Sequence, residues 1–268
     1  MTYMRRSIDT KKVSSGTGQT FWGKEGIIVE LIDHTLNPLQ TIYRMIEATE
    51  DFIPQTLGGL TPVEIQMYME DAVRENLKGG LQLPLEAVSY TFAIGNISRT
   101  CTHQLVRTRV GAGFSQQSLR WRNVENFNFR MPVSITDNPV LEDMVDKYIQ
   151  MAREIHRELV LEDIPYQDAR FVIPMGMTTH LIATYNYLSL KNFCATRLCN
   201  MVQWEINEVA RLMKEEVVKV EPILGSALIP RCEMINKCTF AGWESKCEER
   251  EFERDWTSQR KGMEKNWA

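Results

Sequence analysis

Apolar and polar positions alternate along this chain at two different spacings. From Pro139 to about Asp163, the residues Leu141, Met144, Val145, Tyr148, Ala152, Ile155 and Leu159 keep helical spacing, which predicts an amphipathic helix ended by Pro165. "GIIVELIDHT", Gly26 to Thr35, is β-rich and bounded by polar residues, and predicts a strand. A helix is predicted to follow, with Asn37 as cap and Pro38 at its first position. A second helix has the same opening: Thr61 as cap, Pro62 first, Glu64 three residues after the cap, and Gly79-Gly80 as a stop. Ala87 to Ser98 is aromatic and β-branched and predicts a strand or short helix leading into a helix that ends near Arg109. Gly111 and Gly113 then break regularity, and Phe114 to Thr136 shows no helical period. This reads as a long loop with extended pieces, too aromatic (Phe114, Trp121, Phe127, Phe129) to be disordered, and long ordered loops are commonly functional. The stretch from Asp168 predicts two or three helices closing at Pro222. With no internal repeat and no Gly/Ser linker, one α+β domain is expected.

Composition narrows the class. The chain has 268 residues, 43% hydrophobic and 25% charged, and a formal net charge of −4, as expected of a soluble globular protein with a substantial core. Residues 1–24 are polar and basic without an apolar stretch and read as a flexible arm. Residues 25–225 read as the catalytic α+β domain, and 226–268 as an irregular charged tail. No run approaches the roughly eighteen apolar residues of a spanning helix, so a cytoplasmic protein without membrane association is expected. Mild acidity argues against nucleic acid as a partner. The six cysteines (Cys101, Cys194, Cys199, Cys232, Cys238, Cys247) form no CxxC pair, and the four histidines give no HExxH spacing. Reduced thiols and no metal are therefore expected.

Three sets of polar residues have no obvious task in folding. The first is Gln104, Arg107, Arg109, Ser115, Gln116, Gln117, Ser118 and Arg120, the second Arg170, and the third Asn186, Asn192 and Arg197 in a segment otherwise rich in Leu, Phe, Cys and Ala. Buried Asn and Arg are costly without partners, so Asn192 and Arg197 are expected to face a polar cavity or each other. Guanidinium forks beside hydroxyls and glycine-freed N–H groups suit a phosphate, and side-chain amides suit the edge of a base. A Walker sequence, a GxGxxG fingerprint and a Ser–His–Asp order are all missing.

"RTRVGAGFSQQSLRW", Arg107 to Trp121, resembles the signature of the flavin-dependent thymidylate synthases, an R-H-R triplet, then seven residues, then Ser. "PLEAVSYTFAIGNISRTCTHQLVR" resembles the segment before that signature, and "ARFVIPMGMTTHLIATYNYLSLKNFCATRLCNMVQWEI" resembles the family's C-terminal helices. Several positions depart from the pattern. Thr108 replaces the motif histidine, and eight residues, Val110 to Gln117, separate Arg109 from Ser118. Leu81, Leu83 and Ala87 stand where polar residues approach the flavin, although Pro84 and Glu86 remain, and Leu188 stands where an arginine often follows the Asn.

The resemblance implies a single α+β domain with a mostly antiparallel sheet packed against helices, bound FAD, and NADPH and methylenetetrahydrofolate as co-substrates. It implies a pyrimidine nucleoside monophosphate as substrate and a homotetramer whose sites combine subunits, with Arg170 arriving from a neighbouring chain. Ser118 and Arg120 would grip the nucleotide phosphate with Gln104 beside them, and Gln116, Gln117 and Leu119 would line the nucleotide. Arg107 and Arg109 would hold FAD, Arg107 also lying near the nucleotide; Glu86, Thr108, Gln116, Asn186, Leu188 and Asn192 complete the flavin side. Arg197 would be catalytic, stabilising negative charge on the pyrimidine as N3–H ionises. The implied reaction is methylation of dUMP to dTMP. A C5-methylase or hydroxymethylase acting on dCMP, UMP or dUMP, and a non-catalytic flavin- or nucleotide-binding relative, stay open as alternatives.

Overall fold

Strand pairing decides the architecture. The computed structural model describes residues 26–49, 62–79, 81–120, 124, 126–235 and 237–238. Its four strands are β1 (Ile28–His34), β2 (Ser89–Ser98), β3 (Ala112–Gln116) and β4 (Thr178–Asn186). They form one antiparallel sheet in the order β1-β2-β4-β3. The helices are α1 (Pro38–Glu47), α2 (Pro62–Gly79), α3 (Arg99–Leu105), α4 (Val133–Thr136), α5 (Pro139–Leu161), α6 (Tyr166–Ala169), α7 (Tyr187–Arg197), α8 (Trp204–Val220), α9 (Pro222–Ser226) and α10 (Arg231–Ile235), with 3-10 turns at Leu83–Ala87 and Arg170–Val172. The α+β class and the antiparallel sheet agree with expectation.

Burial follows a period of two along the central strands. Tyr90, Phe92 and Ile94 of β2 and Leu181, Ala183 and Tyr185 of β4 face inward onto α7 and α8. Ala183 pairs with Phe92 on one side and Phe114 on the other. A small side chain on the middle strand leaves room for the two phenyl rings that flank it. Tyr187 at the start of α7 is fully buried and donates its hydroxyl to Leu224 O at 2.8 Å. A second cluster of Val124, Phe127, Met131, Ile149, Ala152 and Met177 sits between the long loop and α5. There Arg153 donates to Phe127 O at 2.6 and 3.2 Å.

Several expectations need correction. Thr178 to Asn186, expected as helix, is the strand β4. Its buried positions, Thr179, Leu181, Ala183 and Tyr185, are spaced by two, and its two flanking partners lie far away in sequence. Gly113 does not break regularity but lies within β3, whereas Gly111 does, at φ 67°. The helix leading from β2 ends at Leu105 rather than near Arg109. Asn37 precedes α1 but makes no side-chain cap, while Asn138 caps α5 with bonds from the N–H of Val140 and Leu141 at 3.1 and 3.3 Å. That helix stops at Leu161, four residues before Pro165, where Asp163 takes φ 59°. Beyond Gly225 the described residues hold α10 and the end of α9, so the start of the expected tail is ordered. Thr61, Gly80, the arm 1–24 and the tail from 239 lie outside the described residues. Among the described residues, no helix is long and apolar enough to cross a membrane, and no group of His, Cys, Asp and Glu is arranged to hold a metal.

Candidate active site

Two regions collect the polar residues singled out above, and α7 contributes to both. The first is a corner formed by α3, β3 and the C-terminal end of α7. Ser98 closes β2 and caps α3, its hydroxyl accepting from Cys101 N–H at 3.0 Å. The short α3 then carries Gln104, whose Oε1 accepts from Arg197 Nη1 at 3.4 Å. Arg197 is the last residue of α7, and its carbonyl accepts from Asn207 Nδ2 at 2.8 Å. Gln104 thus holds the guanidinium, and Asn207 fixes the backbone at the end of α7. It does not meet Asn192, which faces elsewhere.

On the other side, β3 leads into the loop that carries Gln117, Ser118 and Arg120. Gln116 donates to Thr102 Oγ1 at 3.1 Å, and Gln117 O accepts from Arg99 Nη2 at 3.0 Å. Arg99 is held below the usual arginine range by burial and then by the positive charge of Arg170. Arg170 donates from Nε to Gln167 O at 3.0 Å and stands close enough to Arg99 within one chain to act on it. Two like charges drawn together this way are readily relieved by an anion. Ser118 and Arg120 follow on the exposed side, Ser118 Oγ accepting from Arg120 N–H at 3.2 Å, while Leu119 packs on the cluster beneath the loop. Arg99 thus meets Gln117 and Arg170 at the start of α3, with Ser118 next along the loop, and Gln104 meets Arg197 near the end of the same helix.

The turn before β3 explains its glycine. Gly111 has φ 67°, and a Cβ there would overlap the side chains of Asn186 and Ser189 at the start of α7. Asn186 N–H donates to Gly111 O at 2.7 Å, Asn186 Oδ1 caps α7 by accepting from Ser189 N–H at 2.8 Å, and Ser189 Oγ donates to Val110 O. Asn186 is thereby used to clamp this turn. Arg107 and Arg109 leave the turn exposed, and Thr108 lies against the buried Tyr185 hydroxyl. Glu86 is exposed on the 3-10 turn that precedes β2.

The second region is an open cleft of about 910 Å³ between the end of α2, one face of α7 and α10. Leu188 and Asn192 line it, with Arg74, Lys78, Lys191 and Arg231 as its cations. Lys191 Nζ donates to Leu77 O at 2.8 Å, and burial holds its ammonium below the usual lysine range. Asn76 is buried and donates to Leu81 O at 2.7 Å, and its Oδ1 has no partner among the described residues. A cleft of this size suits a cofactor. Its open acceptor and its cations fit a ligand that carries both hydroxyl or amino donors and phosphates. An FAD meets that description.

Comparison with known proteins decides the family. The model for Thymidylate synthase complementing protein (Thy1) matches residues 30–223. The flavin-dependent thymidylate synthase of Thermococcus onnurineus is 33% identical over 226 residues, covering 80% of this chain and 90% of its own. That of Nitratidesulfovibrio vulgaris is 33% identical over 225 residues, covering 78% and 90%. The chain belongs to the flavin-dependent thymidylate synthase family. It is an enzyme of that type, a flavin-dependent methyltransferase. The fold is also that of a crystal structure described as a UMP/dUMP methylase, PolB from Streptomyces cacaoi, bound with 5-Br dUMP. The TM-score is 0.61 at 22% identity, covering 75% of this chain and 94% of that one.

Within this family fold, sequence reasoning passed over three residues that the geometry brings forward. Arg99 joins the loop to Arg170; its only signal was a lone arginine after a capping serine. Lys191 lies on the same face of α7 as Leu188 and Asn192, a spacing of three that could have shown it. Glu205, one of the few buried charges, is 1% exposed at the start of α8, and nothing local to it distinguishes it from an ordinary first-turn glutamate.

Proposed function

We propose that this enzyme methylates C5 of dUMP, with the nucleotide in the corner of α3, β3 and α7 and FAD in the adjoining cleft. The observation that carries the reading is the pair Gln104–Arg197 beside the Arg99–Gln117 contact and Arg170. One guanidinium is paired with Gln104 near the end of α3, and a pair of like charges that favours an anion, Arg99 and Arg170, lies at its start. Ser118, Arg120 and Arg99 take the phosphate, with Gln116 and Gln117 lining the sugar side. Arg197 opposes the negative charge that builds on the pyrimidine when N3–H ionises, and C5 becomes electron-rich as a result. A cation already held by Gln104, on a backbone fixed by Asn207, does this with little reorganisation. Ser118 serves phosphate binding and not nucleophilic attack, since its hydroxyl caps the N–H of Arg120 and no base is seen beside it among the described residues.

Asn192, Lys191 and Arg74 would hold FAD in the cleft, with Arg107, Thr108 and Arg109 reaching it from the turn. Bound flavin supplies the redox chemistry, with methylenetetrahydrofolate as carbon source and NADPH as reductant. A homotetramer completes the site at its exposed side, where Arg120 and Arg170 lie open in one chain.

A second reading keeps the corner and changes the substrate or product: C5-methylation or hydroxymethylation of dCMP or UMP. The exposed Leu81 and Leu83, 51% and 56% accessible beside the cleft, favour it, because they remove polar contacts on the carbon-donor side. Mass spectrometry of products from dUMP, dCMP and UMP, each with folate donor, FAD and NADPH, separates the readings. A 5-methylated dUMP product is expected; exclusive conversion of dCMP or UMP overturns the first reading in favour of the second.

A further inference from the structure

Glu205 is a buried carboxylate that the proposed chemistry does not use. It lies in the first turn of α8 and reaches the junction of β2 and α3. Its Oε1 accepts from Ser98 N–H at 2.6 Å, and its Oε2 accepts from Ser98 Oγ at 2.5 Å. The same Oε1 faces Arg130 Nε at 3.8 Å, and Arg130, 7% exposed, lies over the Trp204 ring with its guanidinium carbon 5.8 Å from the centroid. One carboxylate therefore joins the ends of β2 and α8 to the far end of the long loop.

The contact does more than hold these segments together. A serine hydroxyl rotates freely unless its proton and lone pairs are both engaged. Here the proton goes to Glu205, which leaves a lone pair aimed at Cys101 N–H, the capping bond of α3. α3 is only seven residues long, so that cap helps set its direction, together with the bonds from Arg99 and Thr100 N–H to Met177 O and Met175 O and the burial of Cys101 and Leu105. Its other end carries Gln104, which meets Arg197. The first turn of α8 also reaches Arg197 by a second route, since Asn207 donates to the Arg197 and Cys199 carbonyls at 2.8 and 3.3 Å. One turn of α8 thus governs both partners of the Gln104–Arg197 pair. At the first residue of α3, the Arg99 N–H also donates to Met177 O at 3.0 Å.

We infer that Glu205 is a positioning residue, acting through Ser98 and α3 to hold Gln104 against Arg197, so that its loss impairs turnover far more than nucleotide binding. The inference rests on the assignment of the corner to a pyrimidine nucleotide. Glu205→Gln alone leaves the buried Arg130 charge without its counter-ion and invites misfolding. The decisive variants are Glu205→Gln with Arg130→Met, which removes both charges together, and Ser98→Ala, with Ser98→Thr as the conservative rescue. They are measured in the FAD-loaded protein by thermal melting, dUMP calorimetry, turnover and amide hydrogen exchange. The double variant and Ser98→Ala are expected to lose at least about tenfold in turnover while dUMP affinity changes by less than about threefold. Ser98→Thr is expected to restore turnover. Exchange at the amides of Cys101 to Leu105 should quicken by about tenfold or more, with β2 and β4 amides unchanged. Turnover within about twofold of wild type, or α3 exchange unaltered, overturns the inference. If the parent protein turns over no pyrimidine nucleotide, the functional reading has failed, and α3 exchange alone still decides whether Glu205 positions that helix.

Discussion

Helix α7 serves two regions that differ in how they hold their side chains. At its C-terminal end Arg197 is oriented by Gln104 and by Asn207, and the neighbouring residues Gln116, Gln117 and Arg99 are each engaged by another part of the fold. Along its side, Leu188, Lys191 and Asn192 line an open cleft, and two of its other three cations, Arg74 and Lys78, already have Glu70 and Glu75 as partners. The departures from the family pattern at Leu81, Leu83 and Leu188 fall beside or within this cleft; the corner keeps Gln104, Ser118, Arg120 and Arg197, although Thr108 and the extra residue between Arg109 and Ser118 alter the turn and strand that lead into it. Groups interlocked by hydrogen bonds are hard to change singly without leaving a partner unsatisfied. Groups on an open wall can be exchanged with less penalty.

The widest gap between the two regions should come from Arg197→Lys. The charge stays but the planar fork that meets Gln104 is lost. Turnover is expected to fall by at least about tenfold with dUMP binding largely retained, the mark of an interaction stronger in the transition state. Wild-type turnover in this variant would make Arg197 structural. Next in size is Arg120→Ala, where loss of a charge-assisted contact worth about 1.5–3 kcal/mol should weaken dUMP by roughly tenfold to a hundredfold. Flavin content measured by absorbance should not change; if it falls together with dUMP affinity, the two regions are not separable.

The cleft is tested by Lys191→Met, which should reduce FAD retention several-fold and leave dUMP affinity alone. It carries a pH signature as well. Burial lowers the Lys191 ammonium below its ordinary 10.5, so the unfolded chain binds that proton more tightly than the folded one. The folded wild type is therefore penalised below this range and relieved as pH rises toward it. Apo-protein melting of wild type should gain on Lys191→Met between pH 7 and 10; an unchanging gap would show that the ammonium is fully solvated. The smallest effect concerns thiols. Burial pushes the Cys194 thiol up to about 12 and the Cys101 thiol up as well, so neither should react with iodoacetamide in the native protein near pH 8. Cys232, partly exposed on α10, should react. Rapid alkylation of Cys101 would mean that α3 opens, and that the corner is less rigid than its hydrogen bonds imply.

Local signals were legible where a helix answers to its own sequence. The apolar spacing from Leu141 to Leu159, read from Pro139 onward, located α5 within a few residues. The strand β4 was missed because "TTHLIATYN" sits between helices and carries no turn signal, so a helical run seemed to continue through it. Its period of two becomes decisive only when β2 and β3 lie on either side. The candidate residues were legible as types (arginines, amides and hydroxyls near glycine), but Asn192 and Arg197, five apart on one helix, were read together and turn out to serve different regions.

By itself the sequence determined what neighbouring residues enforce on one another: the helix starts at Pro38 and Pro139, the left-handed turn at Gly111, and the motif that marks the family. Each is a matter of backbone stereochemistry or of side chains a few positions apart. Only the tertiary structure decided which groups meet. Ser98 and Glu205 are 107 positions apart, and Gln104 and Arg197 are 93 apart. No local preference selects such partners; they come together because the sheet, once paired, buries one face against α7 and α8 and leaves each enclosed polar group to find its complement there.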